Sequence, residues 1–193
     1  MKSGVGIAIE NGRRIVKGLG YYEPSEVADL RELVKASVVK YGDATAFNYK
    51  DSEGRITGKS YSEFDRDIDC LGTSLMSLGL NDKYIAIISE NRYEWGVCYF
   101  SIVNGTGIAV PLDKYLPKKE VENLIKRGRV EAIYYSPSFK QMMNEIAADN
   151  KTIKYFSCME DGKKEENKNP RFINMPDLIA KGEELLKSGD KSF

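Results

Sequence analysis

Histidine is missing from this sequence of 193 residues. Its absence excludes Ser-His-Asp and Cys-His catalysis and removes the commonest side-chain ligand for transition metals. Cysteine is scarce, because only Cys70, Cys98 and Cys158 are present, and their spacing matches no metal-binding motif. An odd number of cysteines in apolar surroundings is typical of reduced thiols in the cytosol. We therefore expect three free thiols, no disulfide and no metal site.

An excess of charge of either sign is also missing. The 29 Lys and Arg residues balance the 29 Asp and Glu residues, so the chain lacks the overall field that attracts nucleic acids or anionic membranes. No apolar run approaches the roughly 20 residues of a membrane-spanning helix, and no signal peptide opens the chain. The sequence predicts a cytoplasmic protein with no nucleic-acid partner and no integral membrane segment.

Short apolar runs alternate with amphipathic stretches through the middle of the chain. The apolar runs are residues 85–88, 108–110, 132–135 and 155–158. Strands that are apolar on both sides, separated by helices, predict a mostly parallel sheet covered on both faces. The fold class is therefore α/β, doubly wound, from about residue 45 to about residue 160.

Elements of another kind precede this alternation. Residues 25–41 carry apolar residues at helical spacing, and Gly42 ends that helix. Residues 45–61 predict a hairpin with its turn at residues 51–54. Ser60 followed by Glu63 has the spacing of a capping box, which starts a helix. Ser138 with Gln141 has the same spacing and predicts a second capped helix.

The segment Ser89-Glu90-Asn91-Arg92-Tyr93-Glu94-Trp95 lies between a predicted strand and a predicted helix. Ligands of open α/β sheets bind at the carboxyl ends of strands, so Asn91 and Arg92 are candidates for a substrate-side loop. Asn91 with Glu94 also has the spacing of an N-cap and its acidic partner, and this structural interpretation is the commoner one. Asp113 also follows a strand, and it could face a ligand or cap the turn before Pro117.

The glycine pattern at residues 104–107, Asn-Gly-Thr-Gly, is similar to the start of a dinucleotide-binding fingerprint. A phosphate-binding glycine loop follows a strand and opens a helix. Here the glycines follow a predicted helix and precede a strand, so we interpret them as a turn in which glycine ends the helix. The sequence also contains no Walker motif.

Three stretches resemble AMP-forming acyl-CoA synthetases. Residues 79–95 (GLNDKYIAIISENRYEW) resemble the passage from a core strand into the next helix of that family, and residues 103–113 (VNGTGIAVPLD) resemble the strand that follows. Residues 61–64 and 78–80 resemble the two ends of the helix upstream. The likeness covers roughly residues 20–190 and is closest to the bacterial long-chain fatty acid–CoA ligases.

The resemblance implies a two-step ligase reaction in the complete enzyme. A carboxylate attacks ATP to form an acyl-adenylate and pyrophosphate, and coenzyme A then displaces AMP, with Mg²⁺ and backbone donors stabilising the phosphate charge. The phosphate loop, adenine-side motif, ribose-binding aspartate and catalytic lysine of the family lie downstream of the part that resembles this chain. We therefore assign no catalytic, cofactor-binding or metal-binding residue here, and we expect the isolated chain to be inactive and to bind no cofactor.

The resemblance also divides the chain. Residues 1–20 are expected to form a tail or short β arm, residues 21–161 the α/β first portion of the adenylate-forming large domain, and residues 162–193 a polar loop and short helix leading to the remainder. The expected partners are that C-terminal remainder, a fatty acid substrate and a second copy in a homodimer. Alternatives are a stand-alone binding module with the same fold, or a piece of an amino-acid or aryl-acid adenylating enzyme.

Overall fold

The computed structural model describes residues 6–18, 26–50, 53–160 and 169–193. The strands are β1 (Gly6–Glu10), β2 (Arg13–Lys17), β3 (Thr45–Lys50), β4 (Ile56–Ser60), β5 (Tyr84–Ile88), β6 (Ile108–Pro111), β7 (Val130–Tyr135), β8 (Tyr155–Cys158) and β9 (Phe172–Asn174). The helices are α1 (Leu30–Tyr41), α2 (Tyr61–Ser77), α3 (Tyr93–Ser101), α4 (Lys118–Arg127), α5 (Lys140–Asp149) and α6 (Met175–Lys187).

Five strands form one parallel sheet in the order β6-β5-β7-β8-β9. The central strand β5 shows why the sheet needs cover on both sides. Ile85 and Ile87 pack into a core beneath α2, α3 and α6, whereas Ala86 and Ile88 pack into a second core beneath α4 and α5. The expectation of a doubly wound α/β fold with a mostly parallel sheet is confirmed.

Helix α2 begins directly after Ser60, where the sequence predicts a helix start. Ser60 Oγ accepts a hydrogen bond from the amide of Glu63 at 3.1 Å, and the Glu63 carboxylate accepts one from the amide of Ser60 at 2.9 Å. This reciprocal pair satisfies two amide groups that a helix leaves open at its start. The capping box predicted at Ser60 is therefore confirmed.

The second predicted capping box is wrong. Helix α5 begins at Lys140, after a short 3₁₀ turn over Pro137–Phe139, and no side chain caps its first turn. Proline at the start of that turn fixes the backbone dihedral without needing an N–H partner. The tight turn thus occupies the positions that Ser138 and Gln141 would need for capping.

Two antiparallel hairpins form separate two-stranded sheets and do not pair with the five-stranded sheet. Strands β3 and β4 pair as predicted for residues 45–61, and β1 pairs with β2 inside the segment expected to be a tail or β arm. The predicted turn residues Asp51 and Ser52, and residues 162–168 of the predicted polar loop, lie outside the described residues.

Helix α6 packs against α2, which begins more than a hundred residues earlier in the chain. The close approach depends on Gly182, because a Cβ atom built there would lie 1.7 Å from the carbonyl oxygen of Cys70. Glycine alone leaves room for the two helix backbones to touch. The last part of the chain therefore completes one face of the sheet, while the boundaries near residues 20 and 161 stay predictions.

The glycines at residues 105 and 107 form the connection from a helix to a strand, as predicted. A π-helical turn over Ile102–Thr106 extends α3, and Gly105 has a φ of 141°. A Cβ at Gly107 would lie 2.4 Å from the carbonyl oxygen of Lys83. Both positions need glycine for backbone reasons, which agrees with a structural turn.

Candidate active-site edge

The strand order creates a crevice at one edge of the sheet. Strand β5 lies between β6 and β7, so the chain leaves β5 towards α3 on one face and leaves β7 towards α5 on the other. Ligands of doubly wound sheets bind at the carboxyl ends of strands that diverge in this way. We call the space between residues 89–92 and residues 136–139 the carboxyl-edge crevice.

A short hydrogen bond spans this crevice. Ser136 Oγ donates to Glu90 Oε2 at 2.6 Å, and Ser136 is fully buried. Burial raises the pKa of Glu90, but the Ser136 hydrogen bond and the charge of Arg92 outweigh it and leave the pKa below its ordinary value. Glu90 is therefore ionised at neutral pH and joins the loops that follow β5 and β7.

Arg92 is held by three carboxylates. Its Nε lies 2.7 Å from Glu94, one terminal nitrogen lies 2.8 Å from Glu160, and the other lies 3.6 Å from Glu90. Burial lowers the pKa of Arg92, but the hydrogen bonds with Glu94 and Glu160 reverse that effect and raise it. Because Glu160 follows β8, Arg92 connects the ends of two strands that are not neighbours.

The structure does not support Asn91 as a helix cap. Helix α3 has Arg92 at its N-cap position, with an extended backbone and no side-chain hydrogen bond to the first turn. The Asn91 side chain is exposed and has no hydrogen bond to another described residue. The one-residue shift arises because the Arg92 side chain turns towards Glu94 and Glu160 while its backbone starts the helix.

Asp113 closes a local turn. Its carboxylate accepts a hydrogen bond of 2.9 Å from the amide of Tyr115, which is the geometry of an Asx turn. Of the two interpretations that the sequence left open, turn formation is the one for which a contact is present. A substrate-side role for Asn91, Arg92 and Asp113 stays a prediction, and the structure brings only Arg92 into the hydrogen-bonded network.

Sequence reasoning missed three members of this network. Ser136 and Glu160 each lie at or just after the end of a predicted strand, so the rule that made Asp113 a candidate could have found them as well. Glu90 was inside the quoted loop but was not singled out. Their mutual contacts depend on the strand order, which the sequence alone did not give.

A cavity of about 360 Å³ lies beside the Arg92 network, between α2, α3 and α6. Its wall contains a buried pair, in which the Tyr93 hydroxyl donates to Asp67 Oδ2 at 2.8 Å. Met159 and Met175 follow the ends of β8 and β9 and supply an apolar floor. This cavity and the carboxyl-edge crevice therefore share the same edge of the sheet.

The sequence profile of the AMP-binding enzyme family matches residues 34–184. The chain belongs to the AMP-binding enzyme family. The match includes the whole five-stranded sheet and both loops of the carboxyl-edge crevice. Residues 1–33, which include the first hairpin and the start of α1, and residues 185–193 lie outside the match.

Individual relatives agree with this family. The crotonobetaine/carnitine–CoA ligase of Salmonella paratyphi B (strain ATCC BAA-1250 / SPB7) is 26% identical over 132 residues, which are 68% of this chain and 26% of the relative. The corresponding ligase of Citrobacter koseri is 24% identical over 132 residues, with the same coverage of each chain. The chain thus spans about a quarter of the length of the curated relatives it matches.

Solved structures show the same fold. An anthranilate CoA ligase with bound anthranoyl-AMP superposes with a TM-score of 0.67 at 16% identity, over 78% of this chain and 27% of that protein. The coronafacic acid ligase of Pectobacterium brasiliense superposes with a TM-score of 0.66 at 20% identity, over 78% of this chain and 29% of that protein. The sheet described above therefore matches part of the fold of adenylate-forming enzymes.

The Mg²⁺ implied by the family does not fit the described residues. They contain no group of three or more acidic or thiol side chains arranged around a metal position. The three carboxylates of the carboxyl-edge network, Glu90, Glu94 and Glu160, are all engaged by Arg92. We therefore assign no chemical step to a metal on this part of the chain.

Within the described ranges, no helix is long and apolar enough to cross a bilayer.

Proposed function

We propose that this chain is the non-catalytic first portion of an acyl-CoA synthetase that activates a fatty acid. In the complete enzyme, a carboxylate oxygen of the acid attacks the α-phosphorus of ATP and releases pyrophosphate. The thiol of coenzyme A then attacks the acyl carbonyl, and AMP leaves. The chain contributes a rigid sheet edge and the Arg92 network beside the place where these steps occur.

The observation that carries this proposal is that side-chain contacts bridge the carboxyl-edge crevice. The crevice is bridged by the Ser136–Glu90 hydrogen bond, and Arg92 is saturated by carboxylates. No loop after a described strand offers the run of glycine amides that cradles a triphosphate. These contacts hold the strand ends in place. Arg92, the cation of the network, is already paired with carboxylates and is not free to bind ATP.

The fatty acid is proposed from the resemblance of residues 61–113 to long-chain ligases. A second candidate is a smaller acid, which is favoured by the similarity to crotonobetaine/carnitine–CoA ligases. An aryl acid is a third, since an anthranilate CoA ligase has the same fold. We propose the cytoplasm as the place of action for each of these substrates.

A pyrophosphate-release assay tests the catalytic part of the proposal. The chain is supplied with ATP, Mg²⁺, coenzyme A and a panel of fatty acids, aryl acids, crotonobetaine and carnitine. We expect no acid-dependent pyrophosphate, and calorimetry with ATP·Mg²⁺ should show no micromolar binding. Acid-dependent release would overturn the non-catalytic assignment, and micromolar ATP binding that inorganic phosphate does not displace would favour part of the nucleotide site in this segment.

A stand-alone binding module with the same fold is the alternative from another functional class. The coding sequence on the far side of the Phe193 codon distinguishes the two. A Ser/Thr/Gly-rich loop ending in lysine there supports the synthetase portion, whereas a stop codon supports the binding module.

In either case the exposed edge of β6, where Ile108 is 47% exposed, favours self-association. Sedimentation across a concentration series measures it.

A further inference from the structure

A second cleft lies at the opposite edge of the sheet, where the strands begin. It has a volume of about 790 Å³, and its apolar base contains Ile125 and Val130. Strands of this length rise about 3.3 Å per residue, so roughly 15–20 Å separate it from the carboxyl-edge crevice. We propose that this amino-edge cleft binds a small multivalent oxyanion, either inorganic phosphate or the phosphate group of a small molecule.

Three cations line the amino-edge cleft. They are Lys126, Arg129 and Lys151. Lys151 donates to the carbonyl of Ala148 at 3.1 Å. The side chains of Lys126 and Arg129 make no hydrogen bond or ion pair with another described residue. Two positive charges are therefore available to a ligand at the rim of the cleft.

Two of the three acidic residues of the cleft, Glu122 and Glu131, are paired with lysines, whereas Asp149 has no ion pair with a described residue. Glu131 lies 2.6 Å from Lys154 and 3.5 Å from Lys83, and the hydrogen bond from Lys154 lowers the pKa of Glu131. Glu122 lies 3.8 Å from Lys118. The lining itself carries equal numbers of cations and carboxylates, Lys126, Arg129 and Lys151 against Glu122, Glu131 and Asp149. The excess of positive charge comes from ion-pair partners outside the cleft, Lys83, Lys118 and Lys154 against Glu145.

The C-terminus of α5 does not cancel the positive charge. Helix α5 ends here, and the free carbonyls of a helix C-terminus carry negative partial charge that repels anions. Arg171 donates to the carbonyl oxygens of Ala147, Asn150 and Ile153 and so covers that end. Its guanidinium adds one further positive charge next to the cleft.

The backbone of Arg129 supports a functional use of its side chain. Arg129 has a φ of 50°, in the left-handed region where glycine is normally found after a helix. The neighbouring Gly128 has a φ of −78°, so the glycine does not occupy the position that needs it. Arg129 follows the C-terminus of α4, where the helix dipole favours a cation, and its side chain lines the cleft.

Calorimetry of the 193-residue chain with inorganic phosphate and inorganic pyrophosphate at low ionic strength tests the proposal. Arg129→Gly removes the guanidinium and relieves the left-handed backbone. We expect at least about tenfold weaker anion binding, because a charge-assisted hydrogen bond is lost, with an unchanged or higher unfolding midpoint. Arg129→Lys should retain most of the affinity.

Two control variants make the result specific. Lys119 is exposed on α4 outside the cleft, so Lys119→Gln should leave binding unchanged. Arg92→Gln alters the carboxyl-edge crevice and should also leave it unchanged, which separates this site from the proposed ligase function. Absence of saturable binding in the wild type, undiminished binding by Arg129→Gly, or equal weakening by Lys119→Gln would each overturn the amino-edge site.

Discussion

The Tyr93 hydroxyl donates a hydrogen bond of 2.8 Å to the carboxylate of Asp67, and both side chains are less than a tenth exposed. The bond joins the first residue of α3 to the middle of α2. Arg66 supplies the second partner of the carboxylate at 3.0 Å. A buried carboxylate is tolerated at this position because each of its oxygens has a donor.

Tyr93→Phe should lower the free energy of unfolding by about 1–3 kcal/mol, because one oxygen of the buried Asp67 carboxylate loses its donor. Urea unfolding measures the change. Tyr115→Phe is the matched control, since the Tyr115 side chain is 83% exposed and its hydroxyl has no described partner. Equal midpoints for Tyr93→Phe and the wild type would contradict the prediction.

The same pair predicts a dependence on alkaline pH. Burial, followed by the nearby Asp67 charge, raises the pKa of Tyr93 above that of an unfolded tyrosine, which is about 10. The unfolded chain therefore loses this proton first, so the stability that Tyr93 contributes is complete below about pH 10 and decreases above it. The stability difference between the wild type and Tyr93→Phe should shrink from pH 9 to pH 11, and a constant difference would contradict this account.

The three cysteines should resist alkylation in the native protein. Burial raises the pKa of Cys70 to about 11 from an ordinary 9.0, and burial also raises the pKa of Cys98 and Cys158. A pKa higher by about two units leaves about a hundredfold less reactive thiolate at pH 8. We expect a thiol reagent such as DTNB to label all three only in guanidinium chloride. Rapid labelling of any of them in buffer would show that its surroundings open readily.

Two glycines inside helices should respond to alanine in opposite directions. Gly182→Ala places a Cβ against the Cys70 carbonyl and should destabilise the protein by about 1–3 kcal/mol, because two helix backbones must separate. Gly96→Ala in α3 meets the nearest atom of Phe64 at an ordinary 3.5 Å and should stabilise by about 0.5–1 kcal/mol. Thermal unfolding of both variants decides, and stabilisation by Gly182→Ala would refute the close helix contact.

Two of the predicted helix starts provide a further pair of variants. Ser60→Ala removes a formed capping box and should cost about 1 kcal/mol. Asn91→Ala removes an exposed side chain that caps nothing, so its effect should stay within about 0.5 kcal/mol. Denaturant midpoints measure both, and a larger loss for Asn91→Ala than for Ser60→Ala would restore Asn91 as a cap.

The sheet could be predicted from sequence because its strands are apolar on both sides. A run such as Ile85 to Ile88 has no polar side to expose, so helices must cover both faces. The Ser60 capping box was equally predictable, since it depends on two residues three positions apart. Local chemistry decides both features.

The contacts of the candidate site were beyond sequence reasoning. Ser136 meets Glu90 only because β7 pairs with β5, and Glu160 meets Arg92 only because β8 lies next in the sheet. The Asn91 prediction failed for the same reason, because Arg92 has distant partners that no local pattern reveals. The buried Asp67 lies in an amphipathic helix, where an acidic residue gives no sign of being covered by Tyr93.

The contact between Gly182 and Cys70 also has a consequence for how the protein is made. A ribosome adds about 5–20 residues per second, so α2 emerges roughly 5–20 s before the α6 turn that covers it. Throughout that interval, the apolar surface of α2 around Leu71 and Leu75 is not yet covered by α6. Chaperones can bind the nascent chain at this stage, and aggregation with neighbouring nascent chains is then most favourable.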